Sequence, residues 1–347
     1  MHMATEGATS PSEEARKGFG QFVLKFRMSG VAGFLVLLGL AFTLLRPQFI
    51  TPGNLSAIIS NAAILTIVAA AQAVVLITRN LDVSVGSIMG FSAYLTADFA
   101  ASHPDAGPLL MLMPLAIGAV LGALNGLLVA YGRVSPLIAT LGTMSVYRGL
   151  TYVYARGQEI TSSRLPHWMN VLPEARLAGV PLLVVIAFIV VCLLAAFLRF
   201  YPLGRRMYAV GSNVSASAFF GLRTQRIVLF GYILGGVLCG LAGFLYAARV
   251  GTVTVVLASG WELTSLAAAV IGGVSVAGGS GNVIGAALGA VVLATIDNGL
   301  VLLGIPEFWR MFIQGAAIVL AATADVIIAG QVRNTLRVRR RIARTSP

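Results

Sequence analysis

Asp82, Asp98, Arg148, Asp297 and Asp325 stand inside, or at the edges of, long stretches that are otherwise apolar. An ionisable group held in a hydrocarbon-like setting is costly, so such residues mark ion or solute pathways, proton relays or buried pairs. Asp82 precedes an apolar stretch and is followed by Ser84 and Ser87. Two readings stand for it: a helix cap that favours the positive end of the following helix, or a role in transport. Asp98 and Asp325 lie near stretch ends, where a carboxylate reaches water. Asp297 and Asn298 lie deeper and suit an interior polar network. Arg148 could pair with a carboxylate or snorkel outward beside Tyr152 and Tyr154; its sequence neighbours supply no partner.

Catalytic chemistry finds no support beside these residues. The only lysines are Lys17 and Lys25, and neither follows a glycine loop or precedes Ser or Thr, so no phosphate-cradling GxxxxGK[ST] exists. His2, His103 and His167 all fall outside the apolar stretches, which leaves an intramembrane serine hydrolase without a base and a zinc site without ligands. Gly273-Val274-Ser275-Val276-Ala277 approximates a nucleophile elbow but has no histidine to serve it, and small-residue packing explains it better. The chain is therefore expected to be no enzyme, with no catalytic residue, metal site or cofactor of its own. Cys192 and Cys239 lie in apolar stretches without CxxC or metal-ligand spacing and are expected as buried filler.

The elements that must position these residues follow from composition. Of 347 residues, 58% are apolar and 10% charged, whereas a soluble domain carries about a quarter charged residues. Uncharged stretches of roughly 17–25 residues recur, enough for helices to cross about 30 Å of hydrocarbon. The expectation is an all-α polytopic membrane protein of about ten spans, near 29–45, 55–78, 83–100, 109–131, 134–155, 180–198, 227–248, 263–277, 282–303 and 311–329. Spans three and eight are short and glycine-rich, hence candidates for broken or re-entrant helices. The polar start exceeds a secretory n-region and no small-residue cleavage pattern follows, so the first span is expected to be retained.

Basic residues crowd three segments: the start through Arg27, the loop 199–226 and the tail from Arg333. Short cytoplasmic segments carry the Lys/Arg excess, so both termini are expected inside. The net charge of +12 then reflects topology and attraction to anionic membrane lipid, with no nucleic-acid partner. The domain plan is a cytoplasmic segment 1–28, a membrane domain 29–330 and a basic tail 331–347. The 156–179 segment, with Trp168, Pro166 and Pro173, is expected outside with an interfacial helix. Glycines four apart in Gly118-Gly122-Gly126, Gly231-Gly235, Gly236-Gly240 and Gly281-Gly285-Gly289 are read as close helix contacts.

Several segments, in order and spacing, resemble the permeases of bacterial ABC importers for ribose, xylose, arabinose, rhamnose and autoinducer 2. They are Asn80-Leu81-Asp82-Val83-Ser84-Val85-Gly86-Ser87, Ala139-Thr140-Leu141-Gly142-Thr143 with Arg148-Gly149-Leu150, and Gly204-Arg205-Arg206 leading to Gly211-Ser212-Asn213. Glu262, Ala267-Ala268, Ile271-Gly272-Gly273, Gly278-Gly279 and Asn298-Gly299-Leu300 continue them. That family usually shows two glycines where this chain has Arg79-Asn80, a departure nearer the autoinducer 2 and rhamnose branches. The resemblance implies an inner-membrane complex of two permeases, the second the same or homologous, with two cytoplasmic ATPase subunits that bind the ATP and a periplasmic solute-binding protein. A neutral polyol needs hydrogen-bonding groups along its path, for which Gln72, Asn125, Thr140, Ser145, Tyr147 and Asn298 are candidates, each also readable as a helix-packing polar residue. Asp82, Ser84, Gly86, Glu262, Gly272 and Gly273 belong to the family-like motifs and are gating candidates.

An ion- or proton-coupled secondary transporter is the competing class, since it too uses about ten spans and intramembrane carboxylates. A structural or receptor-like scaffold is a third and would move no solute. Two further expectations concern the ends of the spans. Gly260-Trp261-Glu262 is placed at an outer mouth that meets the binding protein, with helix capping as the plain reading of Glu262. The loop 199–226 is placed at the ATPase, with Ala216 to Phe220 as a short helix capped by Asn213 or Ser215 and ended by Gly221. In the family such a helix inserts into the ATPase, and here Asn213, Ala216, Ser217, Gly221 and Leu222 match its pattern. Phe219 and Phe220 would be the apolar knobs. Docking of those rings on the membrane surface is the alternative.

Overall fold

The computed structural model describes residues 30–313 together with Gly315, Ala316, Val319 and Thr323. The segment 1–28, Asp325, most of the expected tenth span and the tail 331–347 lie outside the described residues. Helix α1 covers Gly30–Leu45. It is followed by α2 (Pro52–Ile77), α3 (Val85–Ser102), α4 (Leu112–Ala130), α5 (Pro136–Ala155), the short α6 (His167–Val171), α7 (Leu182–Phe200), α8 (Pro202–Ser212), α9 (Val214–Phe219), α10 (Thr224–Val250), α11 (Trp261–Ile271) and α12 (Val283–Leu302). A last helix starts at 307. Proline opens α2, α5 and α8, where its missing N–H would have had no helical partner.

Helix α2 is apolar around its whole circumference, and every residue from Ala62 to Ile77 is buried. A helix with no polar face belongs at the centre, and α2 packs against α7, α10, α11 and α12. Lipid tails are as apolar as leucine, so close van der Waals fit rather than the hydrophobic effect holds such helices together. Glycine provides it. A Cβ on Gly118 would strike the Gly236 carbonyl, and one on Gly122 the Tyr232 carbonyl, so α4 and α10 touch backbone to backbone. Gly285 of α12 meets Gly272 in the same way.

Among the described residues, five segments are long and apolar enough to cross a membrane: α2, residues Pro108–Ala130 containing α4, α7, α10 and α12. Helices α1 and α11 are apolar but shorter. The expected span 263–277 is corrected: α11 stops at Ile271, because Gly272 and Gly273, the latter at φ 95°, turn the chain into a loop. Asn282 ends that loop by accepting the Ile284 N–H at 3.0 Å and so starts α12. Span three also starts late, at Val85, after non-helical residues 78–84. Cys239 is buried as expected, whereas Cys192 is exposed on α7, since little covers the outward side of that helix.

Two ribbons gather at one end of the bundle. Strand β1 (Ile160–Thr161) pairs antiparallel with β4 (Thr252–Val253), and β2 (Arg176–Leu177) with β3 (Val180–Pro181). Arg176 donates to Ser56 Oγ at 3.1 Å, tying the β2–β3 hairpin to the start of α2. Helices α8 and α9 mark the opposite end, where Gly279 N–H donates to the Ile77 carbonyl at 3.0 Å.

Candidate functional site

Residues 78–84 interrupt the passage from α2 to α3; Arg79 is exposed, whereas Asp82, Val83 and Ser84 are buried, where no water is at hand for their peptide groups. Non-helical backbone survives at such a depth only if protein satisfies it. Side chains from two neighbouring helices do so, and a third holds the segment's own side chains. Thr140 of α5 accepts the Val83 N–H at 3.2 Å, and Tyr232 of α10 donates to the Leu81 carbonyl at 3.0 Å. From α4, Asn125 donates to Ser84 Oγ at 2.7 Å and more weakly, at 3.4 Å, to Asp82 Oδ2.

Asp82 is fully enclosed. Its Oδ1 accepts Ser84 N–H at 2.8 Å and Ser84 Oγ–H at 2.6 Å. The carboxylate thus closes a turn onto Ser84 rather than capping α3, and Ser84 is itself the residue before the helix. Tyr147 completes the cluster, donating to the Leu121 carbonyl at 2.9 Å with Asn125 Oδ1 at 3.1 Å. The donors run in one sense, Tyr147 to Asn125 to Ser84 to Asp82, and no basic group pairs with Asp82 among the described residues. Sequence candidates from three separate segments, Asp82 with Ser84, Asn125 of α4, and Thr140 with Tyr147 of α5, therefore form one polar cluster.

A second arrangement lies along α3. Arg148 of α5 reaches past Gly90, where a Cβ would crowd its guanidinium, and donates to the carbonyls of Val255 and Leu257 at 3.0 and 2.9 Å. Gly86, one turn away on the same face, lies against Glu262 Oε2 and the Ala258 carbonyl. Glu262 Oε1 accepts the Gly260 N–H at 3.3 Å, which fits the alternative capping reading, while Oε2 is buried without a hydrogen-bond partner among the described residues. Gly86 and Gly90 thus give the loop before α11 its seat on α3.

The α8 end connects both broken spans to one element. Gly211 of α8 sits so close to the Ile77 carbonyl and Gly279 N that no Cβ fits. Tyr208 donates to the Gly281 carbonyl at 3.0 Å, and Gly278 rests on the backbone of Arg79. The loop 272–282 and the segment 78–84 are thereby both anchored at α8. Helix α9 follows at once: Asn213 Oδ1 caps it by accepting the Ala216 N–H at 2.9 Å, Ser217 is buried, and Gly221 at φ 79° ends it. Phe219 and Phe220 stand 88% and 81% exposed, their rings edge to face at 5.9 Å.

The family described as "Branched-chain amino acid transport system / permease component" matches residues 54–322. The chain belongs to this family. This permease is 34% identical to the ribose import permease protein RbsC of Bacillus subtilis (strain 168), over 84% of this chain and 90% of that one. It is 36% identical to the autoinducer 2 import system permease protein LsrC of Enterobacter sp. (strain 638), over 88% of each chain. With RbsC of Escherichia coli (strain K12) it shares 34% identity over 91% of this chain and 98% of the other. No solved structure matches.

The other candidates of this permease lie apart from the Asp82 cluster. Gln72 is enclosed in the middle of α2, and neither amide atom is hydrogen-bonded among the described residues. Ser145 is exposed on α5 and only donates back to the Leu141 carbonyl. Asn298 is held by Asn54, and Asp297 is paired with Arg310 at 3.0 Å. Asp98 accepts from Tyr154 at 2.8 Å, which joins the far ends of α3 and α5. Asn54, Tyr232 and Arg310 carry polar contacts that sequence reading passed over. Their only signal is a polar residue in or beside an apolar stretch, and nothing in the sequence names the partner.

Proposed function

We propose that this permease is the membrane-spanning subunit of an ATP-driven importer for a sugar or sugar-like solute in the bacterial inner membrane, with both termini cytoplasmic. It works as a pair of permeases with two ATPase subunits and a periplasmic binding protein. The observation that carries this reading is the α8–α9 unit. An apolar pair, Phe219 and Phe220, stands out from a capped and glycine-ended helix, and α8 beside it bears on both broken spans through Gly211 and Tyr208. A push on α9 is therefore transmitted, by rigid backbone contact, to 78–84 and 272–282 together. Those segments carry the gating candidates Asp82, Ser84, Gly272 and Gly273, with Gly86 next in α3. Large exposed aromatics that become buried at an interface centre supply much of its binding energy.

The second copy is best accommodated at α5, which exposes Gly142, Ser145 and Gly149 on one face with nothing against either glycine. Small residues at that spacing admit a neighbouring backbone, and a solute path between two such faces would carry the Ser145 hydroxyl. Among solutes autoinducer 2 comes first, because Arg79-Asn80 stands where ribose permeases usually have two glycines; rhamnose and pentoses follow. Tight ribose binding by the cognate periplasmic protein with none of autoinducer 2 would reverse that order.

Uptake by proteoliposomes holding the permease, its ATPase and the loaded binding protein tests the whole reading. It should require hydrolysable ATP and persist when ion gradients are collapsed. The enclosed carboxylate of Asp82 favours one rival, a proton-coupled transporter. Uptake that needs a proton gradient and no ATP would establish that rival.

A further inference from the structure

At the end of the bundle that carries β1–β4, a cavity of about 390 Å³ opens between α2, α10, α11, α12 and the last helix. Its volume is within the range of about 300–1,000 Å³ in which small ligands are held. One wall is aromatic: Tyr246 and Trp261 meet with ring centroids 4.6 Å apart and planes inclined by 49°, forming a corner of two π faces. The rest is polar and carries both donors and acceptors. Asn61 of α2 lines the cavity and its amide makes no hydrogen bond within the described chain. Arg310 spends Nη1 on Asp297 and Nη2 on Glu307, which leaves a buried Nε–H with no acceptor among the described residues. The Thr264 hydroxyl donates to the Gly260 carbonyl at 3.1 Å and keeps its lone pairs for another donor.

These groups select a ligand by chemistry. An anion is disfavoured, because among the described lining residues two carboxylates, Asp297 and Glu307, stand beside one guanidinium. An organic cation would leave the Asn61 NH2 and Arg310 Nε donors unanswered at a cost. A neutral molecule with vicinal hydroxyls uses everything present. Its hydroxyls donate to Asp297 and Thr264 and accept from Asn61 and Arg310, while its polarised C–H face lies on the electron-rich rings of Trp261 and Tyr246. We propose that this cavity is a docking site for a neutral polyhydroxylated solute of monosaccharide size, occupied before the solute reaches the segments around Asp82 and Gly272. The proposal rests on the importer reading and adds a place of binding within the permease itself.

The test uses full-length permease in lipid nanodiscs, with Trp168→Phe and Trp309→Phe so that Trp261 alone reports. D-ribose, D-xylose and L-rhamnose are titrated, with ribose 5-phosphate and choline as charged probes. A saturable change in Trp261 fluorescence with at least one of the three sugars and neither charged probe is expected. Asn61→Ala, in a protein whose unfolding temperature is unchanged, should weaken it about tenfold, the worth of one well-placed hydrogen bond. No response to any of the sugars, or a response to choline or the phosphate instead, overturns the proposal. A response untouched by Asn61→Ala does so too. The assembled importer separates the two readings. If it moves solute on ATP while Asn61→Ala leaves the KM for uptake unchanged, the cavity is no docking site but the importer stands; if it moves nothing, the importer reading itself falls.

Discussion

Asn54 at the start of α2 and Asn298 in α12 exchange two amide hydrogen bonds, Asn54 Nδ2 to Asn298 Oδ1 at 3.0 Å and Asn298 Nδ2 to Asn54 Oδ1 at 2.9 Å. Each residue is half-buried, and Asn54 also donates to the Phe49 carbonyl at 2.8 Å. The pair fixes the rotation of α12 against α2 at the end that carries the proposed docking cavity. Replacing one member strands the other. Asn298→Ala should therefore cost about 1–2 kcal/mol, the range found for polar pairs between membrane helices. Asn54→Ala with Asn298→Ala should cost less than the sum of the single changes. Unfolding temperatures in one lipid would report this, and strict additivity would show that the pair is idle.

Asp82 is expected to organise backbone rather than carry protons. Asp82→Asn retains an oxygen to accept from Ser84 N–H and Oγ–H, so ATP-driven uptake should remain within a few-fold of the parent. Asp82→Ala strands both donors and should lower stability by about 1–3 kcal/mol. Uptake assays with and without an ionophore decide the point, and abolition of transport by Asp82→Asn in a stably folded protein would point to a titrating role.

Phe219→Ala with Phe220→Ala removes only exposed rings, so insertion and abundance should match the parent. Copurification of the ATPase should fall at least tenfold, since aromatic hot spots each contribute about 2 kcal/mol or more to an interface. Normal ATPase retention and normal uptake would move the coupling contact elsewhere on 199–226.

Tyr208→Phe loses the hydrogen bond to the Gly281 carbonyl with almost no change of shape. The expected result is uncoupling, with ATP hydrolysis kept and solute moved per ATP reduced. Burial also pushes the Tyr208 phenol above its ordinary value. The protonated hydroxyl is the donor and persists below that raised value, so coupling in the parent should be flat from neutral pH to about pH 9. A loss of coupling in the parent between those pH values, absent from Tyr208→Phe, would contradict this assignment.

Gly142→Leu and Gly149→Leu fill the open face of α5 without touching the chain's own interior. Paired permeases should then separate while each remains folded. Ser145→Cys, in a background with Cys192→Ser and Cys239→Ala, should form a cross-linked dimer on oxidation. Monomers under oxidation and unaltered pairing by the leucine variants would exclude α5 as the contact.

The sequence by itself determined that lipid surrounds this chain, because apolar length and scarce charge are summed along the chain and need no knowledge of neighbours. It also placed a short helix ended by Gly221 with Asn213 or Ser215 as its cap, since caps are decided within a few residues, and Asn213 is the one that bonds. Even the close contacts of Gly118 and Gly236 were legible, as spacing alone puts small residues on one face. Tertiary structure decided which polar groups meet. Arg148 was expected to seek a carboxylate or the membrane surface, and instead it holds two carbonyls more than 100 residues away. Asp82 offered two readings from its neighbours, and Asn125 and Tyr147 on other helices now surround it. Span eight, read to 277, was short and glycine-rich enough to suggest a break, yet the place of that break, at Ile271, depends on glycines whose loop rests on α8 and α2. Helix formation in lipid is a local matter, because each helix satisfies its own backbone. The pairing of buried side chains depends on how helices rotate and slide against one another, which only the assembled bundle settles.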